Sequence, residues 1–104
     1  MAARRDSIPA DLLSDVKNHL DITWDDEATD RKVRGFIASG MVYLDGKAGG
    51  GQDYAADGTA RTLLMEYCRY LRDSALDVFE NNYRSMILSM RHERVVMGYA
   101  VEST

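Results

Sequence analysis

The stretch from Thr59 to Phe79 contains neither glycine nor proline, and its apolar residues recur at helical spacing. Ala60, Leu63, Leu64, Tyr67, Leu71, Ala75 and Val78 fall on one side, and Arg61, Glu66, Arg69, Arg72, Asp73 and Asp77 on the other. The pattern predicts an amphipathic helix with a wide apolar stripe. Thr59 is placed to cap its start, because a hydroxyl can accept from an orphan backbone N–H. Such a stripe must be covered by other elements, and the rest of the chain offers three helical segments to cover it.

A chain of 104 residues fits one small domain, read here as residues 1–104 with flexible ends at 1–7 and 102–104. Charged residues are abundant but of mixed sign, and the net charge is −4. That balance argues against wholesale disorder and against a dedicated nucleic-acid binder, which would be basic on one face. Cys68 is the single cysteine, so no internal disulfide can form. No apolar run approaches the roughly 20 residues that span a membrane. Arg4 and Arg5 precede no apolar region of a secretory signal. A soluble cytoplasmic protein is the expectation.

Taken in order, Ser7 is a cap candidate with Pro9 just inside, and a first helix is expected over about Ile8 to Leu20. Its apolar face is Ile8, Leu12, Leu13, Val16 and Leu20, with His19 at the edge. Thr23-Trp24-Asp25-Asp26-Glu27 reads as a helix start, with Thr23 or Asp25 capping and Ile22 folding back as a staple. The second helix should continue to about Lys47 on a face of Val33, Ile37, Met41, Leu44 and Ala48, widened by Phe36 and Tyr43. Gly35 and Gly40 inside it each cost about 1 kcal/mol relative to alanine. They fit places where a neighbour approaches closely. Gly49-Gly50-Gly51 ends this helix, and the loop to Gly58 reads as polar and flexible, with Tyr54 its only large apolar group.

After Phe79, the residues Tyr83, Met86, Ile87 and Met90 form a second apolar stripe, rotated by roughly 110–120° from the first if one helix runs straight through. Either the helix breaks at Asn81 or Asn82, or one long helix continues and offers a new face to another chain. Val95, Val96, Met97, Tyr99, Ala100 and Val101, interrupted by Gly98, read as a short strand or extended arm without a partner in its own chain. The fold class is therefore all-α: a bundle of about four helices, two of them longer and central, with an extended C-terminal arm.

Candidate chemistry is sparse. Gly46-Lys47 has the wrong glycine spacing for a phosphate loop and follows a helix rather than a strand. Asp25, Asp26, Glu27 and Asp30 lack the alternation and central glycine of a calcium loop and read as a capped, solvated helix start. His19, His92 and Cys68 show no zinc or nucleophile spacing. Arg69 with Asp73 is an expected surface pair. Arg84, Arg91 and Arg94 form a mildly basic patch diluted by Glu80 and Glu93. Met86, Met90 and Met97 suit either a core or an adaptable partner surface. With no nucleophile, ligand cluster or phosphate cradle, the sequence reads as an assembly component, neither an enzyme nor a cofactor binder. Tyr83, Met86, Ile87, Met90, Val95, Val96, Met97, Tyr99 and Val101 are its expected contact residues.

The layout from Asp11 to Met90 has a short helix through Leu12-Leu13, the Thr23-Trp24-Asp25-Asp26 start and a long helix with Ile37, Tyr43 and Leu44. A glycine-rich loop and a striped helix with Leu63, Leu64 and Tyr67 complete it. It resembles the small head–tail connector (adaptor) proteins of tailed bacteriophages and prophages. The resemblance implies a virion subunit, assembled in the host cytoplasm, that forms a ring with copies of itself, typically twelve-fold. That ring sits beneath the portal protein, carries DNA through its channel without sequence-specific binding, and supports a tail-side stopper or completion protein. It implies no catalysis and no cofactor. Similar proteins use a terminal segment to grip the portal, a role that suits Val95–Val101. The other reading of the residues is a small regulatory or DNA-associated helical module, dimeric through Met86, Ile87 and Met90.

Overall fold

The computed structural model describes residues 8–56 and 58–102, and the side chains of Ala10 and of residues 94–102 lie outside that description. Five helices follow one another: α1 (Ala10–His19), α2 (Glu27–Ala48), α3 (Thr59–Arg72), α4 (Leu76–Asn82) and α5 (Arg84–Glu102). The described residues contain no strand. The all-helical class expected from the sequence is what the chain adopts.

The α2–α3 pair is the centre. α2 presents Val33, Ile37, Met41, Leu44 and Ala48, and α3 presents Leu63, Leu64, Tyr67 and Cys68, all buried. α1 covers one part of this seam with Leu12 and Val16, joined by Leu20 at its cap, and α5 covers another with Ile87 and Met90. Gly40 explains how closely the central helices approach. A Cβ there would meet Leu64 Cδ1 at 2.6 Å and Tyr67 Cδ1 at 2.9 Å, so only a glycine lets these side chains rest on the α2 backbone.

The organising helix is shorter than its periodicity predicts. α3 ends at Arg72, and Ser74 takes a left-handed conformation at φ 57°. The Ser74 and Ala75 amides donate to the carbonyls of Leu71 and Tyr70, a Schellman closure made without glycine. α1 ends the same way: Asp21 at φ 61° and Ile22 donate to Asn18 and Lys17. A second break falls at Tyr83, immediately after Asn82. These two turns rotate the later stripe toward the core. The phase shift is therefore resolved inside one chain, and Val78, expected on the apolar stripe, is exposed.

Helix starts also differ from expectation. α1 begins at Ala10, two residues later than expected, with Pro9 at the cap position and not inside the helix, and Ser7 lies outside the described residues. Asp26, rather than Thr23 or Asp25, caps α2: its carboxylate accepts from the Thr29 amide at 2.9 Å and hydroxyl at 2.8 Å. Gly58 is the α3 cap position, so Thr59 is already helical and makes no cap bond. Gly49, at φ 87°, closes α2 as expected.

Residues Val95 to Val101 are helical rather than extended. Gly98 interrupts the apolar run without breaking α5. The β-branched residues that suggested a strand continue a helix already nucleated by core packing at Ile87 and Met90, and such context overrides weak local propensity.

Candidate protein-interaction surface

The expected contact residues divide. Ile87 and Met90 are core, only 6 % and 2 % exposed, and so are unavailable to a partner. Tyr83 and Met86 are half-buried against that core. The dimer surface of Met86, Ile87 and Met90 is thereby withdrawn. Of the methionines whose role the sequence left open, Met90 is filler. Val95, Val96, Met97, Tyr99 and Val101 stand on the far half of α5, where the backbone is helical and the side chains lie outside the described residues.

Tyr83 belongs to an aromatic lock that the sequence did not reveal. Phe79 of α4 sits within 6.1 Å of the ring centroids of Tyr43, Tyr67, Tyr70 and Tyr83, edge-on to the first three. The hydroxyls reach polar partners at the rim: Tyr67 shares a 2.9 Å hydrogen bond with Ser39, and Asn82 donates to Tyr70 at 3.1 Å. Glu80 lies against Lys47, tying α4 to the end of α2. Lys47 holds the Glu80 carboxyl below its ordinary value, whereas burial, then the Glu80 charge, pushes the Tyr43 phenol up to about 12. This lock holds α4 against α2 and α3 immediately before α5 begins.

The loop before α3 is anchored rather than free. Tyr54 is buried and donates to Asp45 Oδ1 at 2.7 Å. Arg61, expected on the charged face, is only 8 % exposed; its guanidinium donates to the Tyr54 carbonyl at 2.9 Å and pairs with Asp15. One buried arginine thus links α1, the loop and α3. Arg69 pairs with Glu66 at 2.7 Å instead of Asp73, and Arg72 takes Asp73 while also donating to the Leu20 carbonyl at the end of α1.

At the α1–α2 junction lies a cleft of about 380 Å³ lined by Leu13, Lys17, Ile22, Trp24, Asp25 and Asp30 among others. Lys17 bridges Asp25 and Asp30 at 3.1 Å and 2.8 Å, and the Asp30 bond raises its pKa against the opposing effect of burial. Trp24 is 54 % exposed, with its indole N–H donating to Thr29 Oγ1 at 3.3 Å. The sequence presented Trp24 only as part of a helix boundary. Its exposure follows from a position before the Asp26 cap, off the faces of both helices.

Elsewhere the chemistry is quiet. Burial pushes the Cys68 thiol up to about 12, so it stays protonated and fills core space. Gly46 and Lys47 lie inside α2. No group of metal-ligating residues converges among the described residues, and no helix among them is long and apolar enough to cross a membrane. Comparison with protein-family models, with curated proteins and with solved structures finds no match.

Proposed function

We propose that this chain is a head–tail connector subunit of a tailed bacteriophage or prophage, a structural protein that assembles as a ring with its own copies below the portal. The observation that carries the reading is α5. Its last buried residue among those described is Met90, yet the helix continues to Glu102 with Val95, Val96, Met97, Tyr99 and Val101 along it. A helical continuation with an apolar sequence is suited to gripping a larger partner. The grip is thus a helical segment rather than an added strand. The order of short helix, long helix, glycine loop and striped helix supports the same reading, and the net charge of −4 suits a channel that DNA must traverse without sticking.

The test is native mass spectrometry of the full chain mixed with a portal ring from the same phage or prophage. A discrete complex with one subunit per portal subunit is expected, and Val96→Asp should abolish it while leaving the thermal melt of the isolated chain nearly unchanged. Failure of the natural chain to bind would refute the reading. A DNA-associated module retains one favourable observation, the exposed Arg84 and Arg91. It predicts duplex binding that weakens steeply with salt, which the connector reading does not.

A further inference from the structure

We propose that the outer face of α5 in one copy docks into the Trp24 cleft of the next, forming the subunit-to-subunit contact. The inference rests on the connector reading for its purpose, but its argument is independent of it. Arg84, Leu88 and Arg91 are spaced four and three residues apart, so they share one face of α5, and all three are exposed. Leu88 is 59 % exposed, the highest value among the large apolar residues that stand out from the surface. Neither arginine makes an ion pair within 4 Å among the described residues, although the Arg84 charge also acts on the Glu80 carboxylate. This is an apolar knob between two cationic arms.

The cleft is its complement. Leu13, Ile22 and Trp24 supply the apolar part of a lining that also holds Asp25 and Asp30, and Asp21, Asp26 and Glu27, next to the lining residues in sequence, are exposed. Lys17, the cation inside, is already held by Asp25 and Asp30, so the excess charge presented outward is negative. A cleft of about 380 Å³ accommodates a leucine side chain with the aliphatic stems of its flanking arginines. Tryptophan and arginine are also the residues that most often dominate interface energies.

The two surfaces cannot meet within one chain. Among the described residues, α1 and α5 both pack against α2 and α3 and not against each other. A knob and a cleft at different places on one subunit pair between copies in a head-to-tail sense, which closes a ring or propagates. That is the geometry a ring subunit requires.

Trp24 is the only tryptophan, so its fluorescence reports the cleft alone. In low salt, raising the full chain toward about 1 mM should shift its emission to shorter wavelength as sedimentation reports association. Arg84→Glu/Arg91→Glu should weaken association by about tenfold or more. Asp25→Lys, which reverses an exposed charge in the cleft lining and leaves Lys17 its Asp30 partner, should do the same, and mixing the two variants should restore association. Circular dichroism melts check that both variants fold. A monomer throughout the concentration range, association without an emission shift, or mixed variants that stay apart would each overturn the proposal. Portal binding measured in parallel separates the two ideas. Portal binding without self-association removes this interface and leaves the connector reading, whereas the reverse result does the opposite.

Discussion

Gly40→Ala adds a methyl on the inner face of α2 whose carbon would stand 2.6 Å from Leu64 Cδ1 and 2.9 Å from Tyr67 Cδ1. Helix propensity alone predicts a gain of about 1 kcal/mol. Overpacking a filled core costs about 1–3 kcal/mol, and both neighbours here resist moving. Leu64 is fully buried, and the Tyr67 ring is held by its bond to Ser39 and by Tyr43 and Phe79 at 5.4 Å and 5.6 Å. The cost therefore falls in the upper part of that range, for a net loss of about 1–2 kcal/mol. Gly46 is the internal control, since it lies in the same helix with nothing within 4 Å of an added Cβ. Gly46→Ala should stabilise by about 0.5–1 kcal/mol. In a domain near this size each kcal/mol moves the melting midpoint by about 4–8 °C, so circular dichroism melts should separate the two variants by roughly 6–24 °C. If Gly40→Ala melted at or above the natural protein, the α2–α3 contact described here would be wrong.

Leu64→Ala, at a fully buried position, should cost about 2–5 kcal/mol in urea or thermal melts, and Leu71→Ala, only half-buried, should cost clearly less. Ser74→Gly should stabilise the fold by roughly 1 kcal/mol by relieving the left-handed strain at φ 57°. The carboxyls of Asp26, Asp73 and Glu80 are held below their ordinary values by Thr29, Arg72 and Lys47 respectively. Their contribution is complete above the ordinary values of 3.8 and 4.5, and melting temperatures should fall as pH drops from there through the lower folded-state values. Lys17, whose pKa is raised, contributes fully below 10.5, so stability should fall again as pH climbs past it.

The core of α2 and α3 was legible because 3.6-residue periodicity reports burial directly, and Gly40 announced a close contact although not its partner. Ser74 and Asp21 were not legible as breaks. Both adopt left-handed backbone without glycine, held by two hydrogen bonds each rather than by intrinsic preference. Missing the Ser74 turn made the Tyr83–Met90 stripe look surplus to one chain, when the turn delivers it to the core. Arg61 reads as surface from charge alone, and only the fold brings Asp15 and the Tyr54 carbonyl to it. The contact surface lost Ile87 and Met90 and gained Trp24 and Leu88 as candidates, residues whose exposure depends on where helices end rather than on period.

Hydrogen–deuterium exchange of the full chain, with and without a portal ring from the same phage or prophage, addresses the reading most directly. The amides of residues 91–102 should gain protection when the portal is added, while those of Leu63–Arg72 stay as they are. Protection of 91–102 that already matches the α3 core in the isolated chain, or that does not change with portal, would contradict a helix extended to hold another protein.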